Sequence, residues 1–240
     1  MLRRYYSKAP IQGDSTRLDD AEAHHILHVA RIQPGEFVTL FDGSGCEFTA
    51  VVAACRRNEV ELTINERRPV CRELACTVTV GVPLPKGDRA RWLVEKLTEL
   101  GVSRMTPLTT TRTVAPRASD QKKLARYVIE ASKQCGRNIL MKIGPTTSWD
   151  AWVGQAASSL RLVAHPGGEP VRNWIDEPGD ALTLAFGPEG GLTTTEADAA
   201  RAAGWQTMDL GRRILRIETA AVAAASTLTL GRGDMPHRSA

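Results

Sequence analysis

The chain has 240 residues, 42% of them hydrophobic and 24% charged, and carries a formal net charge of +4. That length suits one large domain or two modest ones and supplies ample apolar material for a core, and the chain shows no low-complexity tract and no internal repeat. Nowhere do about 18 apolar residues run together, which argues against a membrane-spanning helix, and the basic start Met1-Leu2-Arg3-Arg4-Tyr5-Tyr6 lacks the apolar stretch of a secretory signal.

In chain order, residues 1–68 read as a small β-rich module. A strand over 3–6 precedes a helix that opens at Asp19-Asp20-Ala21-Glu22 and runs to about Ala30. Residues 36–41 and 46–54 alternate apolar and polar across Asp42-Gly43-Ser44-Gly45, a hairpin turn, and 59–65 adds a further strand. Arg67-Arg68-Pro69 reads as a linker. Beyond it, strand and helix patterns alternate as a parallel α/β sheet requires. The apolar strand 76–82 is followed by a helix over 88–100, with Trp92, Leu93, Leu97 and Leu100 at helical spacing and Gly101 as its stop. A second helix over 119–135 turns Lys122, Lys123, Arg126 and Lys133 away from Leu124, Val128 and Ile129. Strands are expected at 161–164, 182–186 and 206–210. The last helix, 218–230, has almost no charge after its first turn and reads as buried in the fold or against a partner chain.

The charge is unevenly distributed. Residues 86–142 hold thirteen basic side chains against five acidic ones, while the flanking regions are balanced or acidic. A local positive field of that kind recruits a phosphate backbone, although a solvated basic helix face would look the same. Cys46, Cys55, Cys71, Cys76 and Cys135 are odd in number and irregularly spaced, which fits a reducing cytoplasm rather than a disulfide framework.

Two stretches carry chemistry. Gly187-Pro188-Glu189-Gly190-Gly191-Leu192 follows the 182–186 strand and precedes Thr193-Thr194-Thr195-Glu196, a capping-box helix start. A strand, a glycine-rich loop and a helix in that order make a ligand-cradling turn, since glycine lets backbone approach a ligand closely. Leu210-Gly211-Arg212-Arg213-Ile214-Leu215-Arg216-Ile217-Glu218-Thr219-Ala220 sets three arginines and a glutamate before the small-residue helix. Arginine beside a glycine loop can fork onto a phosphate or base edge, although exposed helix-start charge is the plainer alternative. No G-x-G-x-x-G follows the first α/β strand, and no G-K-[ST] exists, so dinucleotide and P-loop sites are disfavoured. His24, His25 and His28 share a helix without a third ligand in place, so no metal is expected. His165-Pro166-Gly167-Gly168 is another loop at a strand end and is placed near the same pocket. Arg232-Gly233-Asp234 resembles an adhesion tripeptide and reads as chance.

At these motifs the chain resembles the bacterial 16S ribosomal RNA uridine-N3 methyltransferases, the ribosomal RNA small subunit methyltransferase E family within the SPOUT superfamily. The likeness runs nearly end to end. It takes in His24-His25-Ile26-Leu27-His28-Val29-Ala30-Arg31, Phe41-Asp42-Gly43, Pro85-Lys86-Gly87-Asp88-Arg89, Glu95-Lys96-Leu97-Thr98-Glu99-Leu100-Gly101-Val102 and Gln134-Cys135-Gly136-Arg137, and closes on the two stretches above. The resemblance implies a PUA-like RNA-binding β-barrel domain over 1–70. It also implies an α/β domain over 71–240, with a parallel sheet and a SPOUT-type trefoil knot. Periodicity predicts no knot, and chain-path rules run against one, so that expectation is carried by likeness alone. S-adenosylmethionine is the implied donor, 16S rRNA in the 30S subunit the implied partner, and a homodimer the implied assembly, with no membrane and no metal. The donor pocket would comprise His165, Gly167, Gly187, Pro188, Glu189, Gly190, Leu210, Gly211, Ile214 and Leu215. Arg4, His25, Arg31, Lys86, Arg89 and Arg137 are the implied RNA contacts. Arg216 or Arg112 would stabilise the anion formed when uridine N3 loses its proton, and Glu218 would orient an arginine or act as base. Two departures stand out: Thr110-Thr111-Arg112-Thr113-Val114 replaces an acidic-Arg-Ser-Val pattern, and Ile217 replaces a threonine. The alternatives are ribose 2′-O-methylation of RNA by a related enzyme, or a catalytically silent RNA-binding or ribosome-assembly factor.

Overall fold

The computed structural model describes residues 3–113, 118–156 and 158–230. The chain divides into two compact units, one of Met1–Glu73 with Ser132–Leu140 and one of Leu74–Ala131 with Met141–Ala240. Residues 132–140, which the sequence reading assigns to the second module, thus pack with the first.

The first unit holds β1 (Arg4–Tyr6), β2 (Ser15–Leu18), α1 (Asp20–His24), β3 (Phe37–Phe41), β4 (Cys46–Cys55) and β5 (Val60–Pro69). Its sheet runs in the order β1-β3-β4-β5-β2, with β1 parallel to β3 and the other pairs antiparallel. Alternation along β4 and β5 sends Phe48, Ala50, Val52, Val60 and Leu62 into one core with Tyr5, Val38 and Leu40. The Arg67-Arg68-Pro69 linker is corrected: these residues continue β5 and pair with Phe48, Glu47 and Cys46. The single helix expected to Ala30 also differs. After α1 the backbone widens into a π-helical turn over His25–Ala30 and ends at Arg31 in the left-handed region, φ 54°. Polar groups close the unit from the 132–140 segment. Arg137 Nε donates to Glu73 Oε1 at 3.0 Å, and Asn138 Nδ2 donates to the Val70 carbonyl at 2.8 Å. Arg4 donates to Glu47 and, at 2.8 Å, to Asn138 Oδ1.

The second unit alternates β6 (Thr77–Val82), α2 (Asp88–Glu99), β7 (Arg104–Thr109), α3 (Ala118–Cys135, whose last turn belongs to the first unit), β8 (Lys142–Ile143), β9 (Thr147–Ser148), α4 (Trp149–Gln155), β10 (Leu160–Pro170), β11 (Ala181–Ala185), α5 (Thr194–Ala202), β12 (Gln206–Asp209) and α6 (Ile217–Leu230). Every strand pairing is parallel, in the order β12-β10-β11-β6-β7-β8, with β9 on β7. Parallel strands buried on both faces read as continuous apolar runs, as Leu182, Leu184 and Ala185 show beside Leu162 and Val163. Residues Trp149, Val153, Ala200 and Trp205 pack against Val163 and Ala185.

One irregularity positions the site. Ala164 and Glu169 of β10 both oppose Met208 of β12, so residues 165–168 loop out of the strand and return to the same partner. The loop crosses its neighbour closely: a Cβ on Gly168 would stand 2.7 Å from the Thr207 carbonyl, which only glycine avoids.

Candidate cofactor cleft and substrate site

Strands β12, β10 and β11 are neighbours and all parallel, so the loops leaving their carboxyl ends gather at one edge of the sheet. There the 165–168 bulge, the 187–192 loop and residues 210–215 enclose a cleft of about 580 Å³. Of the ten expected donor-pocket residues, His165, Gly187, Pro188, Glu189, Gly190, Leu210, Gly211, Ile214 and Leu215 line this cleft. Gly167 is not among the lining residues; it follows the lining Pro166, with φ 78°.

Local physics explains the loop shapes. The Gly191 N–H donates to the Pro188 carbonyl at 2.8 Å, closing the turn of the glycine loop. Thr193 and Glu196 form the reciprocal capping box that starts α5. His165 Nδ1 lies 2.8 Å from the Pro166 carbonyl oxygen. Asp209 ends β12 and accepts from the Gly211 N–H at 2.7 Å and the Gly167 N–H at 3.0 Å. Those two N–H groups hold its carboxyl below the usual aspartate range.

Glu196 does more than cap. Its Oε2 accepts from the Thr193 N–H and hydroxyl, and its Oε1 accepts from the Thr111 N–H at 2.8 Å and hydroxyl at 3.0 Å. Burial alone would raise this carboxyl; the hydrogen bonds from Thr111 and Thr193 outweigh it and hold it low. The grip fixes the turn bearing Arg112, whose guanidinium donates to the Gly190 carbonyl. An acidic side chain at 111 could not donate to Glu196, which gives the Thr111 departure a physical reason. Thr113 is described, whereas Val114 and Arg232-Gly233-Asp234 lie outside the described residues.

Of the expected catalytic residues, Arg216 and Glu218 stand at the start of α6, while Arg112 lies on the turn after β7 and reaches the glycine loop instead. Glu218 is 6% exposed, its Oε2 has no hydrogen-bond partner, and Arg89 Nη1 lies 3.7 Å from it. The same Arg89 nitrogen donates to Glu189 Oε1 at 3.1 Å, so this side chain joins the glycine loop to the α6 first turn. Arg216 is exposed, as are Arg212 and Arg213, and none forms an ion pair with a described residue. Ile217 is buried in the first turn and lines the cleft with its apolar side chain.

The expected RNA contacts divide. Arg31 and Lys86 are exposed. His25 is half-buried, its ring 5.7 Å from that of Tyr5. Arg89 faces two carboxylates. The side chains of Arg4 and Arg137 are only 6% and 3% exposed and are paired with Glu47 and Glu73, so they serve the first unit's packing rather than presenting a guanidinium outward. Among the described residues, no group of three or more His, Cys, Asp or Glu side chains could hold a metal, and no helix is long and apolar enough to cross a membrane. Sequence reasoning missed Asp209 as a site residue. The available signal was an aspartate ending a strand two residues before a glycine, the spacing of an Asx turn.

Residues 72–229 match the model of an RNA methyltransferase domain, and residues 18–65 match that of an RNA methyltransferase PUA domain. The chain is 30% identical over 220 residues to the ribosomal RNA small subunit methyltransferase E of Synechocystis sp., covering 88% of this chain and 71% of that relative. The Bacillus subtilis protein of the same name is 28% identical and is covered in full, by 97% of this chain. Among solved structures, a ribosomal RNA small subunit methyltransferase E from Neisseria gonorrhoeae bound to S-adenosyl methionine superposes with a TM-score of 0.90 at 30% identity, over 98% of this chain and 100% of that one. A Legionella pneumophila methyltransferase in complex with the bound cofactor SAM gives 0.89 at 31%, over 96% and 98%.

Proposed function

The chain belongs to the RNA methyltransferase family, among the ribosomal RNA small subunit methyltransferases E, and on that premise we propose that it methylates N3 of a uridine in 16S ribosomal RNA with S-adenosylmethionine as donor. The observation that carries this reading is the cleft at the carboxyl ends of β10, β11 and β12, whose lining Gly190 is held by Arg112 and whose 210–215 wall runs on into the Arg216–Glu218 start of α6.

The residues fit the donor. A cleft of about 580 Å³ is of ligand size, and Phe186, Leu192, Met208 and Leu215 give it apolar walls between backbone-rich loops. When bound, S-adenosylmethionine supplies an electrophilic methyl group on a sulfonium. The chain's part is to hold the uracil edge beside it and manage one proton. Uridine N3 is a weakly acidic imide, so reaction requires loss of its proton and compensation of the resulting charge. Glu218 is the proton acceptor in this reading, because its Oε2 is buried and free of hydrogen bonds. Arg89, at 3.7 Å, balances its charge. Arg216 stabilises the uracil anion, and its exposure leaves its guanidinium open to substrate. Arg112 fixes the glycine loop through Gly190. Arg212, Arg213, Arg31 and Lys86 supply exposed positive charge for phosphates.

The reading extends to a homodimer. Ile214 is fully exposed at the cleft mouth, Trp92 and Leu230 are exposed on α2 and α6, and large apolar groups in the open suit a partner surface. Light scattering on the purified protein tests it, with twice the chain mass expected.

The deciding experiment transfers labelled methyl from S-adenosylmethionine to unmodified 30S subunits and digests the RNA to nucleosides. 3-Methyluridine is expected. Label on ribose would instead identify a 2′-O-methyltransferase, and no transfer with no donor binding would identify a silent RNA-binding protein.

A further inference from the structure

We propose that Asp209 is the positioning residue that sets the shape of the donor cleft, clamping two of its walls together through backbone N–H groups; this rests on the methyl-donor reading of that cleft. The bulge at 165–168 leaves β10 with no ladder partner at its tip, since pairing with β12 resumes only at Glu169. The Gly167 N–H at that tip would otherwise face solvent, and it donates to Asp209 Oδ2 at 3.0 Å. The second wall is equally short of support. Residues 210–215 form no helix or strand, and Gly211 sits at φ 102°. Its N–H donates to Asp209 Oδ1 at 2.7 Å. One carboxylate therefore spans the two loops, with one oxygen on each.

The chemistry requires a carboxylate. Both partners are N–H donors, so both side-chain heteroatoms at position 209 must accept. Asparagine of the same shape can satisfy only one, because its amide NH₂ would face a donor. Bonds from N–H to an ionised carboxylate are stronger than neutral ones, and an aspartate is ionised at neutral pH. Asp209 itself lines the cleft, between Met208 and Leu210. Releasing it frees both walls at once, so cofactor binding would bear the ordering cost of the two loops.

The test compares the unmutated full-length protein with D209A and D209N by calorimetry, using S-adenosylmethionine and its demethylated product S-adenosylhomocysteine as probes. Both variants are expected to bind both probes about tenfold more weakly or worse, with KM for S-adenosylmethionine rising in step and kcat changing far less. The amide proton signals of Gly167 and Gly211 should move upfield and exchange faster in both variants. Unchanged affinity, or unchanged amide signals, would overturn the proposal. So would a loss confined to S-adenosylmethionine, which would mark Asp209 as a direct partner of the sulfonium charge. If D209A fails to fold, D209N decides by the same measurements. Failure of the unmutated protein to bind either probe would sink the methyl-donor reading, and the two amide signals would then judge the clamp by themselves.

Discussion

Arg4 and Arg137 of the first unit and Arg212, Arg213 and Arg216 beside the cleft differ in what they are free to do. Arg4 and Arg137 are enclosed, each held by a carboxylate, and Asn138 adds an acceptor for Arg4. Arg212, Arg213 and Arg216 are exposed in a segment of 210–216 that forms no helix or strand. A sequence shows the same residue type in both places. The difference teaches that an arginine stays open to an outside partner where the fold supplies no counter-charge, as in the segment after β12.

The largest expected effect breaks the comparison from the cleft side. R216A should lower kcat by about 100- to 1000-fold, the loss typical of removing one group that stabilises developing charge, while thermal stability stays within a degree or two. Single-turnover methylation of 30S subunits alongside a melting curve measures both. On the other side, R137A should destabilise the fold by about 3 kcal/mol, because it leaves Glu73 largely enclosed without its partner. Urea titration reads this directly, and a midpoint equal to that of the unmutated protein would show that Arg137 is not structural.

Acid sharpens the contrast next. Burial disfavours the Glu47 carboxylate, yet Arg72 and Arg4 overcome this and hold its carboxyl below the ordinary 4.5. Glu196 is depressed as well, by its hydrogen bonds from Thr111 and Thr193. A carboxyl lower in the folded than in the unfolded state stabilises the protein above its unfolded value, and that gain is lost as pH falls through the folded one. Stability should therefore hold from neutrality down to about pH 5 and decline below the ordinary carboxylate value. E47Q should flatten part of the decline in a pH series of melting temperatures.

The smallest effect concerns phosphate contact. R212A and R213A together should weaken RNA binding several-fold and reduce the slope of log affinity against log salt by about 1 to 2. Filter binding across a salt series measures it. A slope unaltered by the double substitution would remove both residues from the RNA surface.

How far the sequence disclosed this arrangement depends on the distance over which the relevant partners act. The β-module, the helices α2, α3 and α6, and the strands β6, β10, β11 and β12 are local patterns of period 2 or 3.6, and each can be read from a dozen neighbouring residues. The glycine loop and the capping box at Thr193 are equally local. Arg4 and Arg137 are different, since Glu47 and Glu73 lie 43 and 64 positions away and nothing nearby indicates that the side chains turn inward. Glu196 reads locally as a cap, and its hold on Thr111, 85 positions distant, becomes visible only in three dimensions. Asp209 acts through backbone N–H groups, which every residue but proline carries, so composition offers no trace of the longer of its two contacts. The bulge in β10 has the same character: a continuous strand was expected to end at 164, and the chain instead leaves the sheet and rejoins it.

The membership of residues 132–140 in the first unit bears on how the protein is made. Proteins commonly fold from the N-terminus as they leave the ribosome, each domain completing before the next emerges. Here the first unit draws on a segment made after much of the second. When residues 1–73 appear, Glu73 has no Arg137, the Val70 carbonyl has no Asn138, and Arg72 lacks the Gly136 carbonyl to which it donates at 2.8 Å. The closing piece emerges only after β6, α2, β7 and most of α3 have been synthesised. The nascent chain therefore carries a first unit that lacks these partners for as long as residues 74–131 are being made.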